Sequence, residues 1–276
     1  MTSFSDCTEG SLSAYFEDLF FRGAGKDRQS TVVTVIGSGG KTSLIWRLAA
    51  SFAASRSVPR AASRAASGNE IRILVTPTTK MFVPGEKLYD EFCNGIPPRA
   101  VPGITLAGLF NETSGKLESL PPQALESIAG AYDLVLVEGD GSRELPLKAW
   151  ADNEPVVPSF TNYTIGVLPL WPLGEPVSEK LIHRLPIFLA LTGAAPGEIL
   201  KPEHILALIT GRAAPAIPGL FAKARGKKIL FFNQIEDDAA FQQALEIAGL
   251  LPLGLRNDLG GIIAGSVRQD WAKSAL

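Results

Sequence analysis

Gly37, Ser38, Gly39, Gly40, Lys41 and Thr42 stand between a β-branched run, TVVTVI at 31–36, and an Ala/Leu-rich segment. A strand that breaks at Gly37, turns through the next three residues and opens a helix at Lys41 and Thr42 aims several backbone N–H groups at one point. Such a point attracts phosphate. In this reading the amides of residues 38–42 hold a β-phosphate. The Lys41 amine reaches the β- and γ-oxygens, and the Thr42 hydroxyl binds Mg²⁺, with Ser43 beside it. The usual G-x-x-x-x-G-K-[ST] pattern wants a glycine where Val35 stands, and the first glycine here is Gly37, so GSGGKT is a short variant. The competing reading is a glycine-rich turn with an incidental lysine.

A phosphate loop needs an acidic second anchor for its cation at the end of a neighbouring buried strand. The segment LVLVEGDG supplies Glu138 and Asp140. Residues two apart on a strand point the same way, so both carboxylates face one metal if the strand continues to Asp140, or one of them activates water or a substrate. Thr78 and Thr79, with Lys80, follow another apolar run and offer hydroxyls to a γ-phosphate or a second anion. Asn233 ends a third run, KILFFN, where a side-chain amide either meets a base edge or is followed by acids that cap the next helix. That position resembles the guanine-reading N-K-x-D segment, with Gln234 and Glu236 replacing its lysine and aspartate; neither choice separates ATP from GTP. His183 beside Arg184 suits an anionic group or plain packing, and His204 is read as structural.

The elements that must position these residues alternate along the chain. Short uninterrupted apolar runs at 31–36, 71–76, 133–138, 164–169, 228–233 and 260–265 read as strands covered on both faces. Helical patterns fall at 42–54, 121–132, 178–191, 203–210 and 237–248, and an amphipathic helix capped by Ser11 or Ser13 occupies 11–21. Strands alternating with helices predict an α/β fold of P-loop type, doubly wound, with a mainly parallel sheet and helices on both faces. We expect one domain over 1–276, with an Ala/Ser/Arg-rich excursion at 55–70 and an irregular, Pro/Gly-rich insertion at about 81–120.

Net charge is −2 over 276 residues, with 46% apolar and 20% charged residues. These values give no positive field for nucleic acid, and no apolar run reaches the roughly 20 residues that cross a bilayer. Cys7 and Cys93 fit neither a disulfide framework nor a CxxC motif. The polar, acidic start lacks an export signal's basic and apolar regions, so a cytoplasmic protein is expected.

Together the segments VIGSGGKTSL, VTPTTKMFVP, DLVLVEGDGSRELPLKAWADNEPVVP, LIHR and FFNQIED resemble the YqeC family of selenium-dependent hydroxylase accessory proteins. The likeness covers most of 31–265. It implies a nucleotide-binding protein that helps to mature molybdenum hydroxylases carrying a labile selenium, with such an enzyme or its cofactor precursor as partner. It carries the phosphate loop onto Gly37, Gly39, Gly40, Lys41 and Thr42, the acidic strand end onto Glu138 and Asp140, a basic pair onto Arg143 and Lys148, and a His-Arg pair onto His183 and Arg184. Gly139 stands where alanine is expected, and Pro77 where a third threonine is. A weaker, local resemblance links the loop to the Mur ligases. The leading expectation is a Mg²⁺-dependent hydrolase or transferase of ATP or GTP, in which Arg143 or Lys148 contacts the γ-phosphate or an acceptor. The alternatives are a nucleotide-gated chaperone, docking through 81–120 and 152–176, and ATP-dependent acyl activation.

Overall fold

The computed structural model describes residues 10–21, 30–55, 71–85, 88–213 and 216–276. Most of the basic excursion, with Arg56, Arg60 and Arg64, and Cys7 lie outside them; Cys93 is a free, half-buried thiol. The strands are β1 Thr31–Gly37, β2 Arg72–Pro77, β3 Lys80–Phe82, β4 Glu91–Asn94, β5 Gly103–Asn111, β6 Lys116–Glu118, β7 Leu134–Glu138, β8 Leu147–Lys148, β9 Tyr163–Pro169, β10 Ile182–His183, β11 Arg212–Ala213, β12 Ala216–Ile217, β13 Lys227–Asn233, β14 Leu259–Ser266 and β15 Trp271–Ser274. The helices are α1 Leu12–Phe21, α2 Lys41–Ala54, α3 Pro122–Ala129, α4 Leu185–Thr192, α5 Pro202–Thr210, α6 Asp238–Leu250 and α7 Leu253–Asp258.

The main sheet runs β15-β14-β13-β9-β1-β7-β2-β5-β6-β3, with β4 also on β5. Pairing is parallel from β14 through β13, β9, β1, β7 and β2 to β5 and β4, and antiparallel only toward β15, β6 and β3. β1 is fully buried, which its β-branched sequence permits because apolar side chains suit both faces. Val33 and Val35 join the core under α1 and α2. Val32 packs with Leu125 and Ala129 of α3, and Ile36 packs with α4, α5 and α6. Helices therefore cover both faces. Ser11 caps α1, its Oγ accepting the Ala14 amide at 3.1 Å.

β7 lies between β1 and β2, and β9 on the far side of β1. The chain moves one way from β1 to β2 and β5, returns to β7, then crosses to β9, β13 and β14. This reversal opens a crevice at the C-terminal ends of β1, β7 and β9, where ligands of such sheets bind.

Two expectations are corrected. Residues 81–120 are not an irregular insertion, because β5 is a full strand of the sheet. Its signal was masked by prolines at 97, 98 and 102 and by Gly103 and Gly108; at Gly108 a side chain would lie 2.5 Å from Leu117 Cγ. The helix expected from 178 begins only at Leu185, since Arg184 adopts a left-handed φ of 62° and ends β10. Among the described residues no helix is long and apolar enough to cross a membrane.

Candidate functional site

The turn after β1 is built by glycine. Gly37, Gly39 and Gly40 have φ of 100°, 71° and 118°. A Cβ on Gly37 would lie 2.2 Å from Val167 O, and one on Gly39 2.3 Å from Pro169 Cγ. Left-handed backbone pressed against β9 leaves room for no other residue. Gly40 is the N-cap of α2 and brings no side-chain cap, so the first amides of the helix stay open. The amides of residues 39–43 find no acceptor among the described residues. That of Ser38, expected to join them, is given to Val167 O at 3.0 Å. The Ser38 hydroxyl is fully buried without a partner among the described residues.

Lys41 is buried, and its ammonium donates to Gly37 O at 2.6 Å and lies 3.5 Å from Asp140 Oδ1. The Thr42 hydroxyl donates to Glu138 Oε2 at 2.8 Å. The hydroxyl expected at a magnesium ion and the acid of the adjacent strand are thus in contact. Burial pushes the Glu138 carboxyl above its ordinary range; Lys41 and the Thr42 hydrogen bond pull it back, and Asp140 adds to the rise.

The two carboxylates do not share one direction. β7 stops at Glu138, and the chain bends at Gly139, where a Cβ would sit 2.8 Å from Ile36 Cγ2 and 2.9 Å from Thr34 Cγ2. That crowding accounts for glycine where alanine was expected. Asp140 is completely buried: its oxygens accept the Gly37 amide at 3.0 and 3.2 Å and Trp150 Nε1 at 2.8 Å, and Oδ2 meets Lys148 Nζ at 3.0 Å. Asp140 holds the entrance of the glycine loop.

Lys148, expected at a phosphate or acceptor, is also inside. Its ammonium donates to Gly141 O at 2.7 Å, bridges Asp140 to Glu154 Oε2 at 3.1 Å, and has no exposed surface. Glu154 Oε1 accepts Arg184 Nη2 at 2.9 Å, and Arg184 Nη1 contacts His183 Nε2 at 2.8 Å. A ladder of alternating charge, Lys41, Asp140, Lys148, Glu154 and Arg184, therefore joins the glycine loop to His183. Burial, then the Arg184, Lys148 and Arg143 cations, push His183 down to about 4.

Asn233 lies with the loop but is closed to a base. Its Nδ2 donates to Gly39 O at 2.8 Å, its Oδ1 accepts the Val267 amide at 3.0 Å, and it is 2% exposed. The acids after it act as the capping alternative predicts, Asp237 accepting the Ala240 amide at 2.8 Å. The Thr78 hydroxyl donates to Val156 O at 2.6 Å and to Glu138 O at 3.3 Å, stitching loops together. The Thr79 hydroxyl is buried and unpartnered among the described residues. His204 Nδ1 accepts the Lys201 amide at the start of α5.

Part of this arrangement opens on a cleft of about 1290 Å³. The loop, Thr42, Ser43, Thr79 and Glu138 form one wall, and Arg143, Glu154, His183 and Arg184 another. Arg143, Glu144, Arg184 and Gln234, all lining it, have φ between 53° and 64°. Left-handed backbone at non-glycine residues gathers where structure over-determines it, commonly at functional sites. Glu154, Trp150 and Gln234 were not singled out as site residues, although Trp150 and Glu154 lie in the quoted DLVLVEGDGSRELPLKAWADNEPVVP block and Gln234 follows Asn233; what the sequence does not show is that Glu154 meets Lys148 and Arg184 and that Trp150 donates to Asp140. Among the described residues no three His, Cys, Asp or Glu side chains cluster to hold a metal.

Residues 33–186 match the family described as YqeC protein. The span exceeds half of the chain and includes both walls of the cleft. The chain belongs to the YqeC family. It is 32% identical over 194 residues to a protein of Escherichia coli strain K12 described as the uncharacterised protein YqeC, an alignment covering 67% of this chain and 70% of that protein. No solved structure matches the chain.

Proposed function

We propose that this YqeC family member binds ATP or GTP with Mg²⁺ at the Gly37–Thr42 turn and hydrolyses or transfers the terminal phosphoryl group, as an accessory factor in the maturation of a selenium-dependent molybdenum hydroxylase. The observation that carries the nucleotide reading is the conjunction at one strand end of five unpartnered amides, the orphaned Ser38 hydroxyl, and Thr42 in contact with Glu138. These residues fit a phosphate chain and its cation: Thr42 and Glu138 would hold Mg²⁺, which characteristically takes few protein ligands and fills its shell with phosphate and water oxygens. When bound, the cation neutralises charge on the phosphate oxygens.

The chain's own groups do the rest. Amides 39–43 and the α2 N-terminus orient the phosphates. Lys41 offers an ammonium already held over the loop by Gly37 O and Asp140, so little reorganisation is needed to meet developing charge. Asp140 and Lys148 would position the loop from the interior, since both are fully buried and neither lines the cleft. Arg143 is the basic residue of its pair left facing the cleft.

Phosphate release by the purified protein with Mg²⁺, compared with Lys41→Ala, tests the reading; equal release by both overturns it. The hydroxylase role rests on the family resemblance and is tested separately by the selenium content of the partner enzyme in cells lacking this chain. A second reading, a nucleotide-gated chaperone with little turnover, is favoured by exposed Phe82, Phe92, Ile96, Leu109 and Phe110 within 81–120. Tight nucleotide binding without release would select it.

A further inference from the structure

We infer that Arg143, His183 and Arg184 form a subsite for the oxyanion of a second substrate, separate from the phosphate chain at the glycine loop. The inference rests on the nucleotide reading for its neighbour, but the subsite has a readout of its own.

Arg143 lines the cleft with an exposed guanidinium that makes no hydrogen bond or ion pair with any described residue, on a backbone held at φ 53°. Arg184 is fixed from behind: Glu154 Oε1 takes Nη2, and Lys148 holds the other Glu154 oxygen. Its Nη1 faces His183 Nε2 at 2.8 Å. A guanidinium can only donate, so Nε2 accepts and the single ring proton lies on Nδ1. His183 is then a neutral imidazole with one N–H left to give, in keeping with a titration pushed down to about 4. Arg184 is also the N-cap of α4, which brings no side-chain cap. The Leu185 amide has no acceptor among the described residues, and Leu185 lines the cleft. Two guanidinium groups, an imidazole N–H and the one open amide of the α4 start, that of Leu185, thus line the same part of the cleft as donors, a set that suits a carboxylate or phosphoryl group.

Size agrees. Five cations line the cleft, Lys41, Lys80, Lys116, Arg143 and Arg184, with four carboxylates, Glu138, Glu144, Glu154 and Glu179. Lys41, Lys80 and Arg184 are already paired with Asp140, Glu118 and Glu154, so Lys116 and Arg143 are the lining cations with no ion pair among the described residues. The volume of about 1290 Å³ exceeds the range of about 300–1,000 Å³ usual for one ligand. A nucleotide at the loop leaves the His183 wall for another molecule.

The test is calorimetric titration of the full-length protein, saturated with Mg²⁺ and a non-hydrolysable ATP analogue, with inorganic phosphate or malonate. The expected result is one equivalent bound with a Kd below about 10 mM. Arg143→Gln should weaken it about tenfold, as loss of a charge-assisted hydrogen bond does, with analogue affinity unchanged. Tighter phosphate binding assigns a phosphoryl group, tighter malonate binding a carboxylate. No binding to the saturated protein, an unaffected Arg143→Gln variant, or loss of probe binding in Lys41→Ala would each overturn the subsite. If the parent fails to bind the analogue yet binds the probe through Arg143, the nucleotide reading fails and the subsite stands.

Discussion

Replacing Lys148 with methionine isolates the buried ladder. Lys148 has no exposed surface and lies 3.0 Å from Asp140 and 3.1 Å from Glu154. Removing one member of a buried ion pair costs about 3–5 kcal/mol, because the surviving charge stays desolvated. Here two carboxylates survive, but neither is abandoned. Lys41 remains 3.5 Å from Asp140, Trp150 and the Gly37 amide still donate to it, and Arg184 still holds Glu154. The lower end, about 3 kcal/mol, is therefore expected. At about 2–4 °C per kcal/mol for a chain near this length, the melting temperature falls by about 6–12 °C. Urea unfolding followed by circular dichroism measures the loss. Asp140→Asn in the same background should restore part of it, with a coupling of about 1–3 kcal/mol. A Lys148→Met protein within about 0.5 kcal/mol of its parent, an ordinary surface substitution's effect, would refute the ladder. So would normal stability with lost nucleotide affinity, which would return Lys148 to the ligand.

Gly37→Ala should destabilise by more than about 2 kcal/mol, since left-handed backbone costs about 1–2 kcal/mol before the clash with Val167 O, whereas Gly141→Ala, with open space at its Cβ, should be near neutral by chemical denaturation. Glu138→Gln should leave the ligand-free protein as stable as its parent or more so at pH 7, while abolishing stabilisation by Mg²⁺ and nucleotide in a thermal-shift assay. Its raised folded pKa means the native state binds the proton more tightly, so the parent loses stability as pH rises past the ordinary carboxyl range, and the variant lacks that slope. His183 should stay neutral from pH 5.5 to 8 by NMR titration. Because its folded value of about 4 lies below an unfolded value of about 6.5, the unfolded chain binds more protons between them, stability rises with pH across that window, and His183→Gln flattens part of the rise.

The sheet was legible where apolar runs were uninterrupted: β1, β2, β7, β9, β13 and β14 all fall within a residue or two of their expected places. Burial on both faces imposes one composition, and that composition is local. β5 escaped because glycine serves it for close approach to β6, not for turning. The glycine loop was legible for the same local reason, since three left-handed positions in four residues leave few alternatives. The interior ladder was not. Nothing adjacent to Lys148 distinguishes a solvated lysine from one enclosed by Asp140 and Glu154, because enclosure comes from β8, the loop after β7 and the start of α4 meeting in space. Asn233 failed as a base reader for a similar reason: both of its amide partners, Gly39 and Val267, are remote in sequence.

That carboxamide also ties distant parts of the chain into one mechanical unit. Gly39 hangs from Asn233, which is anchored to the backbone just past β14, and the turn leading into β15 holds the start of α1, where the Leu12 amide donates to Asp270 O. Trimming the chain after Ser266 would remove no group that lines the cleft, yet it would slacken the suspension of the Gly37–Thr42 turn.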